Sequence, residues 1–384
     1  MRTPMANAGQ FTRPALVPQA TAVLRPYGSF SSSLVHSRLT QRQGYCGLGP
    51  DYCNSPDCQL DYGPACDGNK IPSGANTSSI PRPALGSVPY GGVGIYACTV
   101  PGTVALTYDD GPYIYTSYVL DVFKYYRSKA TFFVTAINNG KGEIDDPSTI
   151  YPPIIRRMLA EGHQIASHTW SHQDLTKITP TQRRDQMIKN EMALRNILGF
   201  FPTYMRPPYS NCDAQSGCQA DMVSLGYHIV GSLLECFYFQ SESNTTQLKT
   251  YFDLDTNDYN LDSPNLIQQA KNNFANGIQG NATTSDHLEI GHDIHQQTAY
   301  NLTQYMLSTL IDAGYKAVTV GECLGDPQVN WYRDSSGNGA SISDTPSSVA
   351  ATTATVSPTA AKPVTTDGTC GPANGFTCQG SPYG

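Results

Sequence analysis

The sequence predicts an α/β domain built on a parallel sheet, either open or closed into a barrel. From about Cys98 to Cys323, short apolar runs rich in β-branched residues alternate with longer amphipathic runs. This alternation is typical of parallel strands that are joined by helices. Clusters of polar residues follow several of the short runs, which is the position where a (β/α) barrel keeps its active site.

Each predicted strand is a short apolar run bounded by turn residues. The candidate strands are residues 103–109, 129–134, 164–168, 203–206, 227–230, 287–291 and 317–320. The amphipathic runs, which we interpret as helices, are residues 115–127, 152–161, 180–198, 264–276 and 300–313. The domain is therefore predicted to extend over residues 98–327.

Composition and charge exclude several classes of partner. The 384 residues carry a formal net charge of −7, and 39% of them are hydrophobic, which is enough for a core in one large domain. An acidic chain is poorly suited to nucleic acid or to an anionic membrane surface as its main partner. Since no run of about 18 apolar residues occurs, we also expect no membrane-spanning helix.

Cysteines and glycosylation sequons indicate a secreted or cell-wall protein. The chain has 11 cysteines and carries sequons at Asn76, Asn244, Asn281 and Asn301. Disulfide bonds and N-glycans both form in an oxidising secretory compartment. Because the N-terminus does not lead into the apolar stretch of a signal peptide, we expect the start of this chain to be incomplete.

The first predicted strand ends in two adjacent carboxylates, Asp109 and Asp110, before Gly111 and Pro112 stop it. Neighbouring side chains on an extended backbone point to opposite faces, so both can reach one site only if the chain turns as the strand ends. Two carboxylates this close need a cation or an arginine to compensate their charge. By itself, however, such a pair is more often a solvated turn.

His168 and His172 follow another short apolar run and stand four residues apart. If the segment is helical, both imidazoles project from one face, a common arrangement for a transition metal. Two histidines and one aspartate, with a fourth position left to water, make the open catalytic type of zinc site. A lone pair of histidines at this spacing is more often a surface feature, so the interpretation depends on the combination.

The segments outside the domain differ from it in composition. Residues 1–44 lack sustained periodicity and are predicted to be disordered. Residues 67–97 are rich in Pro, Gly and Ser and are predicted to form a linker. Residues 328–366 are rich in Ser, Thr, Ala and Pro, as in an O-glycosylated spacer.

Residues 45–66 contain four cysteines, Cys46, Cys53, Cys58 and Cys66. A segment this short cannot bury a core of its own and needs covalent staples. The residues by themselves indicate a small disulfide knot of no stated function.

Five motifs stand along the domain in a fixed order. They are residues 107–112 (TYDDGP), 167–172 (SHTWSH), 206–209 (RPPY), 255–259 (DTNDY) and 288–293 (LEIGHD). With these motifs, residues 103–325 resemble the polysaccharide deacetylases of carbohydrate esterase family four, and the fungal chitin deacetylases in particular. The resemblance implies a distorted (β/α) barrel and metal-dependent hydrolysis of the N-acetyl groups of N-acetylglucosamine residues in chitin, giving chitosan and acetate.

The resemblance also implies a role for each residue of the first three motifs. Asp110, His168 and His172 are the implied ligands of a divalent metal, zinc in the first place and cobalt as the alternative. Asp109 is the implied general base, and Arg206 is implied to keep its carboxylate ionised and oriented.

The remaining motifs imply the general acid, the oxyanion donor and the residues that contact the substrate. His292 is the implied general acid, tuned by Asp258, while the backbone N–H near Tyr209 is implied to stabilise the oxyanion. Tyr259 stands where the family usually has tryptophan, so we expect a smaller and more polar wall of the substrate groove. Leu288 is implied to line the acetyl pocket, although a strand leucine is by default a core residue.

Two terminal pieces resemble parts of a second family. Residues 45–66 resemble the later half of a hevein-like chitin-binding module, and residues 367–384 resemble the opening of another. Tyrosines of such modules stack on N-acetylglucosamine rings, and the matching residues here are Tyr45, Tyr52 and Tyr62. The resemblance pairs Cys58 with Cys66. Because neither piece has the full set of cysteines, we expect chitin to bind chiefly in the catalytic groove.

Cysteine positions and one insertion add further expectations. Cys98 and Cys323 flank the predicted sheet, so a bond between them would close a very long loop, and Cys212 and Cys218 are close enough to close a short one. Relative to the family, residues 231–249 are an insertion. We predict a surface excursion there, which leaves residues 227–230 and 251–254 as parts of one strand.

Alternatives to a chitin deacetylase stay open. The same chemistry would serve peptidoglycan, acetylxylan or another acetylated wall polymer, and a catalytically impaired protein would only bind chitin in the wall. Because both carboxylates, both histidines, Arg206 and His292 are present, an active enzyme is favoured. We expect a monomer whose partner is chitin or another N-acetylglucosamine polymer.

Overall fold

The computed structural model describes residues 23–26, 44–47, 53–58, 60–61, 66–231 and 253–341. All of them belong to one compact unit, Met1–Thr345. Within these ranges no helix combines the length and the apolar character that crossing a membrane requires.

The strands alternate with helices along most of the chain. The strands are β1 Val23–Pro26, β2 Gly44–Gly47, β3 Thr103–Ala105, β4 Thr107–Asp109, β5 Thr131–Val134, β6 Gln164–Ser167, β7 Phe201–Pro202, β8 Tyr204–Met205, β9 His228–Ile229, β10 Leu254–Asp255, β11 His287–His292, β12 Lys316–Val318 and β13 Tyr332–Arg333. The α-helices are α1 Thr116–Tyr126, α2 Tyr151–Ala160, α3 Pro180–Leu198, α4 Cys218–Ser224, α5 Ile267–Gly277, α6 Thr303–Asp312 and α7 Val320–Cys323.

Among the described residues, nine strands form one parallel sheet in the order β12-β3-β11-β4-β5-β6-β8-β9, and β10 pairs with β11 as well. The predicted first strand is divided at Leu106 into β3 and β4, and both halves pair with β11. The register places His292 opposite Asp109 and Gly291 opposite Tyr108. The carboxyl ends of β4 and β11 therefore carry their polar residues level with each other at one end of the sheet, where ligands bind in parallel α/β folds.

Helix α3 has clear start and stop signals. Thr179 and Gln182 form a capping box, Pro180 occupies the first helical position, and Gly199 ends the helix in a left-handed conformation (φ 87°). The face of α3 toward the sheet carries buried polar residues as well as apolar ones. Asn190 Nδ2 donates to Val134 O at 2.9 Å and to Ser167 Oγ at 2.8 Å, which fixes the ends of β5 and β6.

Two predicted boundaries near the C-terminal end of the domain differ from those in the structure. The predicted strand 317–320 ends at Val318, because the Thr319 side chain and Glu322 cap helix α7. The predicted helix 300–313 is entered through a π-helical turn, Thr298–Leu302, before α6 begins.

Residues 67–97 pack on the domain and are not the free linker that their composition predicts. Arg82 donates to Glu191 of α3 at 2.7 and 2.8 Å, and Gly91 N donates to Tyr227 O at 2.9 Å. Ile95 bridges Val230 as a parallel neighbour at the end of β9. A Pro- and Gly-rich composition disfavours helices and strands, but it does not prevent a segment from making tertiary contacts.

The segments on either side of the insertion form separate short strands. Strand β9 pairs with β8, and β10 pairs with β11. Residues 232–252, which include all of the insertion except Gly231, lie outside the described residues. The joining of residues 227–230 and 251–254 into one strand accordingly stays a prediction.

Disulfide bonds join the three pairs that the sequence singles out. They are Cys58–Cys66, Cys98–Cys323 and Cys212–Cys218. The second bond ties the segment before β3 to the end of α7, a separation of 225 residues. It thus holds the two ends of the domain together, as expected from its position.

The terminal pieces are described only in part. Strand β1 lies within the segment predicted to be disordered and pairs antiparallel with β2. The side chains of Tyr45, Tyr52 and Tyr62 and the whole of residues 342–384 lie outside the described residues. The hevein-like interpretation of both pieces, and the boundaries drawn for them, therefore stay predictions.

Candidate metal centre and active site

A strained turn at the end of β4 brings Asp110 to the site. Asp110 has φ 74°, in the left-handed region that few residues other than glycine adopt, and Gly111–Pro112 is a cis peptide bond. A Cβ atom on Gly111 would lie 2.2 Å from the Asp293 carboxylate, so the close approach requires glycine. Lys141 Nζ donates to the Asp110 carbonyl at 2.9 Å and helps to hold this turn.

The two histidines do not lie on a helix, in contrast to the arrangement considered from their spacing. Strand β6 ends at Ser167, and the following residues turn through left-handed conformations at Thr169 (φ 72°) and His172 (φ 55°). This turn brings the two imidazole rings to a centroid distance of 5.0 Å. Sequence spacing alone does not distinguish a helical turn from a loop that achieves the same juxtaposition.

Asp110, His168 and His172 present ligand atoms that lie within 4.8 Å of one another. Asp110 Oδ1 lies 3.0 Å from His172 Nε2 and 3.5 Å from His168 Nε2. It is a buried oxygen without a well-formed hydrogen bond. Burial opposes its ionisation, yet the imidazoles, His172 foremost, hold the pKa of Asp110 well below its usual range.

The tautomer of His168 suits a metal ligand. Its Nδ1 lies 2.8 Å from the carbonyl oxygen of Arg206, which can only accept a hydrogen bond, so Nδ1 carries the proton. Burial lowers the pKa of His168 to about 4, so the ring is neutral near pH 7. Nε2 therefore keeps its lone pair and faces Asp110. An aspartate with two imidazoles is a donor set that zinc accepts, so these residues fit a divalent metal.

One oxygen of the Asp109 carboxylate is hydrogen-bonded to Arg206. Arg206 Nη1 donates to Asp109 Oδ1 at 2.7 Å, and the other carboxylate oxygen, Oδ2, lies 3.9 Å from His168 Nε2. The guanidinium also lies over the Phe133 ring, with 4.1 Å between Cζ and the ring centroid. Both Asp109 and Arg206 are buried, so one carboxylate oxygen is anchored and the other faces the candidate metal centre.

His292, which lies opposite Asp109 in the sheet, forms a second pair with Asp258. His292 Nδ1 lies 2.8 Å from Asp258 Oδ1, and Thr298 Oγ1 donates to Asp258 Oδ2 at 2.7 Å. Burial disfavours the charged imidazole, but the Asp258 carboxylate outweighs it and raises the pKa of His292 to about 10. Although burial would raise it, the pKa of Asp258 is lowered by His292. His292 is thus protonated at neutral pH.

Two exposed tyrosines flank this cluster. Tyr209, which is 45% exposed, makes an edge contact with His172 at 4.7 Å between ring centroids. Tyr259, which is 40% exposed, makes a similar contact with His292 at 5.4 Å. Both side chains therefore lie at the rim, one beside a metal-ligand candidate and one beside His292.

Leu288 does not lie at the site, and the structure corrects this assignment. Its side chain is fully buried, and it pairs with Ala105 of β3, whereas His292 pairs with Asp109 of β4. Four residues of strand span about 13 Å, so Leu288 belongs to the core at the far end of the strand.

Three residues near the site were not assigned a role from sequence. Asp293 accepts from Thr116 Oγ1, and burial raises its pKa to about 6. Burial lowers the pKa of Lys141 to about 7. Glu289 accepts from Thr107 N at 3.3 Å, and burial raises the pKa of Glu289 well above its usual range. The sequence offers one indication that Glu289 has a special role, namely that its carboxyl group lies within an otherwise apolar strand.

Other histidines of the domain have hydrogen-bond partners of their own, and one of them, His295, also lies against His292 with 5.8 Å between the ring centroids. His163 and His228 are buried and hydrogen-bond to the backbone at Ala130 and Pro89. His287 and His295 pair with Asp253 and Asp262.

Comparison with known proteins identifies the family of this site. A family model described as "Polysaccharide deacetylase" matches residues 97–230. The chain is 41% identical over 242 residues to a "Chitin deacetylase" of Colletotrichum lindemuthianum and covers 87% of that protein, with 63% of its own length aligned. A "Chitin deacetylase" of Pestalotiopsis sp is 39% identical over 309 residues, which is 80% of this chain and 87% of that protein.

The fold agrees with these matches. The solved structure of the chitin deacetylase from Colletotrichum lindemuthianum aligns at a TM-score of 0.55 and 41% identity, over 64% of this chain and 97% of that one. A "Probable peptidoglycan-N-acetylglucosamine deacetylase" of Arthroderma benhamiae is 38% identical over 277 residues, which is 71% of this chain and 53% of that protein.

Proposed function

Since this chain belongs to the polysaccharide deacetylase family, we propose that it hydrolyses the N-acetyl groups of N-acetylglucosamine residues in chitin and releases acetate. The observation that carries the proposal is the register between β4 and β11. It sets Asp109 and His292 level on neighbouring strands, beside the cluster of Asp110, His168 and His172. Removal and delivery of a proton on two sides of one centre is the arrangement that amide hydrolysis needs.

Asp109 acts as the general base. Its Oδ1 is held by Arg206, whereas Oδ2 faces the centre and takes a proton from the attacking water. Anchoring one oxygen fixes the direction of the other, so that no rotation of the carboxylate has to precede proton transfer. The geometry therefore supports a base whose position is set by the protein before substrate binds.

His292 acts as the general acid. Its Nδ1 faces the Asp258 carboxylate, which leaves Nε2 to deliver a proton to the departing amine nitrogen of the sugar. The pKa of about 10 keeps the ring charged at neutral pH. Donation becomes favourable as the leaving amine gains basicity when the C–N bond breaks.

Asp110, His168 and His172 would hold the divalent metal, with zinc as the first candidate and cobalt as the alternative. When bound there, such an ion would supply Lewis-acid chemistry, which would lower the pKa of a water and polarise the acetyl carbonyl. Tyr209 follows the Arg206 motif at the rim beside His172, so its backbone N–H is the protein group that we assign to the oxyanion.

Peptidoglycan is the second candidate substrate. It shares the N-acetylglucosamine unit with chitin, and one relative of this chain carries a peptidoglycan deacetylase name at 38% identity. Acetylxylan differs, because its acetyl groups are esters of sugar hydroxyls. The candidate acid, base and metal ligands are all present, which disfavours the alternative of a protein that only binds chitin.

The three disulfide bonds in the described part of the chain support the proposal that this protein lies outside the cell or in the cell wall.

One assay tests the proposal. The full chain is loaded with zinc and incubated with N-acetylglucosamine oligomers, with peptidoglycan and with acetylxylan, each in the presence and absence of a chelator. We expect chelator-sensitive acetate release from the oligomers at the highest kcat/KM. Faster release from peptidoglycan would reassign the substrate, and no release from any polymer would overturn the enzymatic function.

A further inference from the structure

The segment closed by the Cys58–Cys66 bond packs against two loops of the candidate metal centre. We define the stapled segment by its described residues, 53–58, 60–61 and 66–69. Ser55 O accepts from Asn139 N at 2.8 Å, and Pro56 O accepts from Gln173 Nε2 at 3.0 Å. Gln173 directly follows the ligand candidate His172. The segment therefore contacts the loop after β6 and the loop after β5 at the same time.

The loop after β5 in turn holds the turn that carries Asp110. Asn138 Nδ2 and Lys141 Nζ both donate to the Asp110 carbonyl, at 3.3 and 2.9 Å. Asn139, which donates to Ser55, lies between these two residues. The stapled segment thus contacts the loop after β5, which holds Asp110, and the loop after β6, which carries His172.

Gly68 brings the stapled segment close to Ser171, the residue before His172. A Cβ atom at this glycine would lie 2.9 Å from Ser171 Oγ and 2.9 Å from Leu60 Cδ2. Ser171 is itself fixed from the other side by Gln186, which accepts from Ser171 N at 2.8 Å. Gly68 O also accepts from Lys189 Nζ at 3.1 Å. The residue before His172 is therefore clamped between the stapled segment and helix α3.

The stapled segment is internally fixed as well. Asp67 Oδ1 accepts from Ser55 N at 2.7 Å and from Ser55 Oγ at 2.6 Å. Cys58 and Cys66 are 1% and 0% exposed, although the segment is too short to bury them alone. Its folding is therefore coupled to the domain surface that it covers, unlike that of a module on a free tether.

We propose that the stapled segment is a positioning element of the metal centre, which holds the Asp110 and His172 loops at the spacing that the ion requires. The inference rests on the metal site of the proposed function. A residue that orients a ligand loop without touching the metal commonly changes metal affinity by roughly 10- to 100-fold. The segment accordingly serves the catalytic domain, whatever binding role its tyrosines have.

Zinc affinity of the full chain tests this positioning role without any substrate. Gly68→Ala presses a methyl group onto Ser171 Oγ, and Gly280→Ala is the matched control. A Cβ atom at Gly280 would lie 3.0 Å from Ser285 Oγ, just ahead of β11 and at the far end of the sheet from the centre. We expect competition with a chromophoric chelator to show about tenfold weaker zinc binding for Gly68→Ala and wild-type affinity for Gly280→Ala.

The double variant Cys58→Ser/Cys66→Ser gives an independent arm. It removes the staple without adding bulk, and we expect zinc affinity to fall while the far-ultraviolet circular dichroism of the domain is kept. Wild-type affinity in both the Gly68 and the cysteine variants would overturn the inference and leave the proposed function standing. Failure of the wild-type chain to bind zinc would instead overturn the metal centre on which the inference rests.

Discussion

Arg206 Nη1 lies 2.7 Å from Asp109 Oδ1, and the two side chains are only 1% and 3% exposed. The same nitrogen donates to Thr107 Oγ1 at 2.7 Å. Removing one partner of a buried pair leaves the other charge uncompensated, which typically costs about 3–5 kcal/mol of the free energy of unfolding. The pair therefore contributes to stability at the carboxyl end of β4 as well as to the position of the proposed base.

Asp109→Asn is expected to keep the metal and lose turnover. The amide keeps the shape of the carboxylate but cannot take a proton from water, so kcat should fall by roughly 10²- to 10⁴-fold. Acetate release and bound zinc, measured on the same preparation, check both halves of this expectation. Activity within a few-fold of the wild type would remove Asp109 as the base.

His168→Ala is expected to lose the metal. It removes a ligand whose Nε2 faces Asp110 and whose Nδ1 is oriented by the Arg206 carbonyl. Zinc content by elemental analysis after dialysis should drop to background, and excess zinc should not restore full acetate release. His163→Gln is the control, because that ring hydrogen-bonds to Ala130 away from the centre. Full retention of zinc by His168→Ala would contradict the ligand set.

Asp258→Asn is expected to move the alkaline limb of the kcat profile to lower pH. The Asp258 carboxylate is the main cause of the raised pKa of His292, about 10, so its removal lowers that pKa. His292 must be protonated to donate, and activity is lost as pH rises through its pKa. The descending limb should therefore shift down by roughly 1–3 units.

Asp253→Asn is the matched control for this pH profile, since Asp253 pairs with His287 at the start of β11 and not with His292. It should leave the limb in place. Equal limbs in wild type and Asp258→Asn would show that His292 is not the group whose titration limits turnover.

Much of the sheet was readable from the sequence because its strands are apolar runs bounded by turns. Helices α1, α2 and α3 lie within two residues of their predicted bounds. Strands β7 and β13 were missed, since each has two residues and two residues carry no periodicity. The contact between Arg82 and Glu191 was not predicted, because the two residues are 109 positions apart in the sequence. Local composition indicates only the secondary structure that a segment prefers.

The motifs name residues that the structure brings together, but they do not give the geometry of the site. The motifs name Asp109, Asp110 and His292, but only the strand register shows that His292 lies opposite Asp109. The same register removes Leu288 from the site. Sequence spacing favoured a helical turn between the histidines, whereas two left-handed residues make the connection. Register and left-handed turns both depend on long-range pairing, which is why local patterns do not specify them.

His163 should make the stability of the domain depend on pH. The ring is 1% exposed, its Nδ1 accepts from Ala130 N at 3.1 Å, and burial lowers its pKa to about 4. The unfolded chain has the ordinary pKa of about 6.5, so it binds the proton more readily than the folded chain does. The free energy of unfolding is therefore unaffected by His163 above pH 6.5. It decreases as the pH falls from 6.5 toward 4, by at most about 3 kcal/mol.

Urea unfolding of the wild type and of His163→Gln at pH 4.5 and 7 measures this dependence. Glutamine can accept the Ala130 hydrogen bond through Oε1 but does not titrate, so the variant should lose less of its free energy of unfolding between the two pH values. Parallel losses in the wild type and His163→Gln would show that the pKa of His163 is the same in the folded and the unfolded chain, which would contradict the expected pH dependence.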